Sequence, residues 1–274
     1  MKRLREADIR LTDLYRRTDV MALDAYSDPL IRSAYLLRYL PHYTLQIGDL
    51  LRALEGEEQV AALFSQPRLK HIALGGGPAP EAIALAVLHQ QGGGSHLHTT
   101  VLDQRADQWS DCWPISSRLA MAYSQHPYVQ ISGLQGDLSL PPSDSEAGLL
   151  AGTQVLSLLN ALNELMRFGV SRLRQALGQR LSALPSASLV LITDQAAYRR
   201  CAEGMHLLRG LLVERGARIV IARTTKEDAN FMVNRFRLSP RLQELYGQPA
   251  SELGPATREY RIRNTTLQLA ALVL

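Results

Sequence analysis

The sequence predicts an α/β fold, a doubly wound seven-stranded sheet preceded by an N-terminal helical region, and three observations predict it. From residue 70 onward, short apolar runs alternate with stretches of helical periodicity, the pattern of a mostly parallel sheet covered on both faces. The first run, Ile72 to Leu74, breaks into Gly75-Gly76-Gly77 and then into a helical pattern that begins at Pro80. The second and third runs lead into Asp103 and Asp137, at the carboxyl ends of their strands, where open parallel sheets bind ligands.

Taken in order, residues 1–66 read as helical, with Leu11, Leu14, Leu30, Ile31, Ala34, Leu37 and Leu40 at helix-like intervals. This region is expected to form a lid or cap over a second unit, residues 67–274. Tyr35, Tyr39 and Tyr43 fall at i, i+4 and i+8, although Pro41 is expected to kink or end the helix before the last of them. Tyr26, Tyr35 and Tyr39 either pack against the second unit or face a ligand: aromatic faces attract cations, and a phenol can hydrogen-bond beside a reacting group. Arg38 faces either a carboxylate or solvent.

The glycine turn permits positive φ and leaves the backbone open to close approach by a ligand. Pro80 suits the first position of a helix whose free N–H groups then point at the turn. The helix stops at Gly92-Gly93-Gly94, and Thr99 to Asp103 form the second strand, with Asp103 26 residues beyond Gly77. That spacing fits a ribose-binding acid. Trp109 packs either near a bound base or in the core. Tyr128 to Leu134 give strand three and Val155 to Leu159 strand four. Asn160, Asn163 and Glu164 follow on the binding edge, where Asn160 serves either a ligand or the cap of the next helix. Leu189 to Asp194 form strand five, Arg218 to Ala222 strand six and Thr265 to Leu274 the last strand. Between the last two, Asn230 to Tyr246, with Arg235, Arg237 and Arg241, has helical periodicity.

With 46% hydrophobic and 20% charged residues, the composition is that of a globular protein. Net charge is +4, and with only three lysines (Lys2, Lys70, Lys226) nearly all positive charge is arginine interleaved with acids, which does not favour nucleic acid as the partner. Cys112 and Cys201 form no Cys-x-x-Cys pair, and His96-x-His98 has no further ligand near it in sequence, so no metal site is expected. With no signal-peptide pattern and no run of about 20 apolar residues, the expected location is cytoplasmic.

A dinucleotide fingerprint would place its third glycine at Pro80. Instead, residues 67–274 resemble the class I S-adenosylmethionine (SAM) dependent methyltransferases, with their Rossmann-like seven-stranded sheet. The resemblance implies that Gly75, Gly76, Gly77 and Pro78 hold the methionine part of SAM. It further implies that Asp103 with Gln104 binds the ribose and Asp137 with Leu138 the adenine. Asn160 would meet the cofactor's amino group or the nucleophile, and Tyr26, Tyr35, Tyr39 and Asn160 are the candidate catalytic residues. One departure is that Ala73-Leu74 stand where many members carry an acid.

The expected function is methyl transfer from SAM to a small-molecule acceptor. The Gly75 to Pro80 pattern also resembles the loop of nicotianamine synthases. That likeness implies an alternative chemistry at the γ-carbon of SAM, which releases methylthioadenosine by aminocarboxypropyl transfer or by closure to azetidine-2-carboxylate. The Gly-Gly-Gly-Pro loop is similar, too, to that of some ribosomal RNA uridine methyltransferases. A non-catalytic SAM-binding module is the remaining reading.

Overall fold

The computed structural model describes residues 2–17, 23–226 and 265–274. The expected helix from Asn230 to Tyr246 lies outside the described residues. Helices α1 (Lys2–Arg17) and α2 (Pro29–Arg52) flank a 3-10 turn (Leu23–Ser27), and α3 (Glu58–Phe64) leads to β1 (Arg68–Leu74). Then follow α4 (Pro80–Gln91), β2 (His96–Asp103), α5 (Ala106–Trp109), α6 (Trp113–Ser124), β3 (Tyr128–Gln135) and α7 (Asp144–Leu150). The chain continues through β4 (Val155–Leu159), α8 (Leu162–Leu165), α9 (Val170–Ser182), β5 (Leu189–Gln195), α10 (Arg199–Glu214), β6 (Arg218–Lys226) and β7 (Thr265–Leu272).

The seven strands form one sheet in the order β3-β2-β1-β4-β5-β7-β6. β1 to β5 are parallel, and β7 runs antiparallel between β5 and β6. This is the Rossmann-like, doubly wound seven-stranded sheet that the sequence predicts. The order reverses beside β1, so the glycine turn at its end opens at the switch point, the place where such sheets bind ligands.

Side chains alternate across the sheet with the strand period of two. Leu69, Val155, Leu189 and Leu191 face Ile47, Leu50 and Leu51 of α2, Ile83 and Leu85 of α4 and Ala120 of α6. Ile72, Leu74, Leu156, Leu158, Val190 and Ile192 face Leu173, Leu177 and Leu181 of α9 and Leu207, Leu208 and Leu211 of α10. The second half of α2 is therefore a layer of the sheet's own cover.

α2 corrects one expectation. Pro41 neither ends nor splits it: the helix runs on to Arg52, so Tyr43 stays on the face of Tyr35 and Tyr39. Proline inside a helix costs about 3 kcal/mol, and burying Ile47, Leu50 and Leu51 beyond it outweighs that at roughly 1.5–3 kcal/mol each. The helix starts as its sequence prescribes, with the Asp28 carboxylate accepting from the Leu30 N–H and Pro29 in the first turn.

His71 lies inside the sheet, 1% exposed, with Nδ1 3.1 Å from Thr99 Oγ1 and Nε2 2.8 Å from Ser157 Oγ. Burial pushes its pKa down to about 3. Because the folded value lies below the unfolded one of about 6.5, its neutral form stabilises the fold fully above that pH, and the contribution is lost as pH falls toward 3. The stability advantage of the protein over a His71→Asn variant should therefore shrink steadily from pH 6.5 to 4 in urea unfolding. A constant difference would show that His71 is not held neutral. No helix among the described residues is long and apolar enough to cross a membrane.

Candidate functional site

The glycine turn is fixed from β2 and from α6. Gly75 and Gly77 take left-handed φ values of 63° and 48°. The Gly75 N–H donates to the Leu102 carbonyl at 2.7 Å, and the Gly77 N–H reaches Asp103 Oδ2 at 3.3 Å. On the outer side, Trp113 Nε1 donates to the Gly77 carbonyl at 2.9 Å and Ser116 Oγ to that of Pro78 at 2.6 Å. A Cβ at Gly76 would sit 2.6 Å from the Ala73 Cβ, so the middle of the turn admits only glycine. A Cβ at Gly75 would meet Ala161 at 3.4 Å and Leu138 at 3.6 Å, and one at Gly77 would meet Trp109 at 3.4 Å. The ends of β1, β3 and β4 and the loop after β2 thus wall one narrow space.

Asp103 closes β2 with Oδ1 accepting from the Arg105 N–H at 2.8 Å and Oδ2 from Gly77. Burial raises its pKa, the two N–H donors lower it, and nearby Asp107 raises it. The carboxylate is thereby locked in orientation, with lone pairs left for a ligand. Gln104 beside it is exposed and contributes its carbonyl to Gln135 Nε2 at 3.4 Å.

The loop after β3 is organised from beneath by α9. Asp137 Oδ1 accepts from the Ser139 N–H at 2.8 Å, while Leu138 is buried against the glycine turn. Arg180, 1% exposed, pairs with Glu146 and donates to the carbonyls of Asp137 (3.2 Å), Leu138 (3.4 Å) and Leu140 (2.7 Å). Arg172 Nε adds a bond to the Ser139 carbonyl at 2.8 Å. Ser139 Oγ is buried in this loop with no partner among the described residues, a hydroxyl available to a ligand.

Asn160, at φ 53°, ends β4 and does not cap the following helix. Its Nδ2 donates to Gln46 Oε1 at 2.9 Å, and Gln46, fully buried in α2, also donates to Thr193 Oγ1 at 2.7 Å. The cap of α8 comes from Asp194, whose Oδ2 accepts from the Leu162 N–H at 2.8 Å, so that aspartate is spent on structure.

Tyr26, Tyr35 and Trp109 form one aromatic cluster beside Gly77, with ring centroids 4.8 Å (Tyr26–Trp109), 5.2 Å (Tyr35–Trp109) and 5.7 Å (Tyr26–Tyr35) apart. Tyr39 extends it at 5.0 Å from Tyr35, and Tyr43 stacks on Tyr39 at 5.5 Å. Burial raises the Tyr39 pKa, so its phenol is protonated at neutral pH. The cluster is held over the turn by Arg32, which bonds Asp111 at 2.5 and 3.1 Å and the carbonyls of Tyr26 (2.6 Å) and Ser27 (3.1 Å). Arg38 faces a carboxylate, Asp8, at 3.0 Å.

The structure thus brings Gly75 to Pro78, Asp103, Leu138, Tyr26 and Tyr35 around one turn, with Asn160 on the adjoining strand end. Gln104 stays at the periphery. Sequence reasoning missed Gln46, Glu81, Arg32 and Arg180. Glu81 alone left a local signal, an acid directly after Pro80.

No protein-family model matches the chain, and no curated protein matches its sequence. Among solved structures, a 16S rRNA (adenine(1408)-N(1))-methyltransferase from Catenulisporales acidiphilia is similar at 13% identity. That match covers 80% of this chain and 93% of the other, with a TM-score of 0.45. The CMeT domain of the citrinin polyketide synthase is similar at 12% identity over 98% of this chain and 66% of the other, TM-score 0.45. A SAM-dependent methyltransferase from Aquifex aeolicus is similar at 11% identity over 85% and 98%, TM-score 0.37.

Proposed function

We propose that this chain is a SAM-dependent enzyme that transfers a methyl group to a small-molecule acceptor. The observation that carries the reading is the Gly75–Gly77 turn at the switch point, with the Asp103 carboxylate bonded to Gly77 and pointing along the same edge. The residues fit the cofactor. The turn has no side chains where an amino-acid arm would pass, Asp103 retains lone pairs for two ribose hydroxyls, and Asp137, Leu138 and Ser139 line the position of the adenine. When bound, SAM supplies a methyl group on a positively charged sulfur, so the chain's own task is alignment and exclusion of water.

Trp109, Tyr26 and Tyr35 would place aromatic faces near that cation. Tyr39 and Asn160 would bind and orient the acceptor, with Asn160 set by its bond to Gln46. Within residues 1–66, α1, the 3-10 turn and the first half of α2 act as the cap, and residues 67–274 carry the cofactor.

A small acceptor is favoured over RNA because the positive charge, nearly all of it arginine, is interleaved with acids along the chain. Arg38, Arg174, Arg199, Arg218 and Arg223 each lie against a carboxylate, so their charge is partly offset where a phosphate backbone would be followed. Incubation of the protein with SAM and candidate acceptors, followed by mass spectrometry, tests the reading. Intact SAM in the absence of acceptor and a product heavier by one methyl group in its presence are expected. Methylthioadenosine formed from SAM alone would replace this reading with the γ-carbon chemistry, and salt-sensitive RNA binding with methylated RNA would replace the small acceptor.

A Tyr39→Phe variant should bind SAM within about twofold of the parent yet turn over roughly tenfold or more slowly, as for loss of a positioned hydrogen-bonding group. Unchanged turnover would return that ring to a packing role.

A further inference from the structure

Beneath the glycine turn lies a carboxylate that the proposed reaction does not use. Glu81 stands in the first turn of α4, fully buried, and its Oε1 accepts from Ser157 Oγ at 3.3 Å. Its Oε2 is buried with no hydrogen-bond partner among the described residues. Its height in the sheet follows from register. Ser157 pairs with Ala73 across β4 and β1, one residue before β1 ends, and the Ala73 Cβ is the atom that a Cβ at Gly76 would strike. Ser157 and Ala73 therefore lie side by side just below the glycine turn, with Glu81 bonded to Ser157.

The hydrogen bonds behind Glu81 have one consistent direction. The Thr99 hydroxyl donates to His71 Nδ1, His71 Nε2–H to Ser157 Oγ, and the Ser157 hydroxyl to Glu81 Oε1. That assignment leaves Oε1 as an acceptor, so the proton that Glu81 gains or loses rides on Oε2. The elements packed around it also carry Tyr35, Tyr39, His42, Tyr43 and Asp49 on α2, His89 on α4, Asp103 at the end of β2, Arg118 and Tyr123 on α6 and Asp194 on β5. Burial holds His42 and His71 neutral, and Asp194 is tied to the Leu162 N–H.

Resting on the SAM reading, we propose that Glu81 is a buried counter-charge that ionises when a cationic ligand occupies the glycine turn, so that the site distinguishes SAM from its demethylated product by charge. Glu81 does not touch the ligand; it is a positioning residue acting through the turn in a region of low dielectric, where an opposite charge nearby favours the ionised form. SAM carries one more positive charge than S-adenosylhomocysteine. Loss of the methyl group removes that charge, Glu81 takes its proton back, and the hold on the product weakens. Burial alone, offset by its own N–H and by Ser157, puts the Glu81 carboxyl at about 7, poised to respond near neutral pH.

The test is titration calorimetry of the whole protein at pH 7 in buffers of different ionisation enthalpy, with SAM and S-adenosylhomocysteine as the two probes. Binding of SAM should release about half a proton more than binding of S-adenosylhomocysteine, since a group with a pKa near 7 is half protonated there. In Glu81→Gln that excess should vanish. Affinity for SAM should drop roughly tenfold, while affinity for S-adenosylhomocysteine stays within about twofold, which also shows that the variant's site is intact. Titration of SAM's own amine is common to both proteins and cancels in the comparison.

Should Glu81→Gln not fold, the parent alone decides: its preference for SAM over S-adenosylhomocysteine should grow several-fold from pH 6 to 8 as Glu81 ionises. Equal proton release for both ligands, or a preference that is flat with pH, would overturn the counter-charge while leaving the SAM reading in place. Failure of either ligand to bind would overturn both.

Discussion

Asp103→Ala is expected to weaken SAM binding about 100-fold. Two hydrogen bonds from ribose hydroxyls to a carboxylate contribute about 1.5 to 3 kcal/mol each, and replacement by water recovers only part of that. The variant also removes the acceptor of the Gly77 and Arg105 N–H groups, so the turn itself loosens. Asp103→Asn separates the two effects. One amide oxygen still accepts from the backbone, and the residual loss then reports the ribose contacts. Equilibrium dialysis with labelled SAM measures both variants. An Asp103→Ala protein that binds as tightly as the parent would remove Asp103 from the site.

Arg180→Met should unfold the protein far more easily, by roughly 3–5 kcal/mol. That is the cost of leaving Glu146 as a buried charge without its partner, together with the carbonyls of Asp137, Leu138 and Leu140 without their donor. At this size the loss corresponds to a melting point lower by roughly 6 °C or more. Arg180→Met with Glu146→Leu should recover part of that loss, because no lone charge then remains in the core. The single variant should also lose SAM affinity, since Arg180 is what holds the loop after β3 against the glycine turn. A melting point within 2 °C of the parent would mean that the loop is held by other contacts.

The sheet was legible because its inner strands, β4 and β5 above all, are short apolar runs buried on both faces, and because glycines and acids mark the carboxyl ends. Asp103 was legible from its distance along the chain to the glycine turn. Position across the fold was not. Gln46 and Asn160 are 114 residues apart in sequence and Arg180 and Glu146 are 34, and no local pattern announces either pair. Arg180 looks in sequence like any charged residue on an amphipathic helix, and only the fold turns it inward. Pro41 misled for the same reason, because the helix beyond it is kept by packing that periodicity cannot weigh. Glu81 reads locally as an ordinary acid in a helix's first turn, where the dipole favours negative charge. Its burial and its free oxygen are visible only when Ser157 and Ala73 are brought beneath the turn.

The most direct test of the whole account is a crystal structure of the protein with S-adenosylhomocysteine. The amino-acid arm is expected to lie along Gly75 to Gly77, with both ribose hydroxyls on Asp103 and the adenine beside Asp137 and Leu138. Ligand bound elsewhere, or a glycine turn that remains empty at saturating concentration, would contradict it.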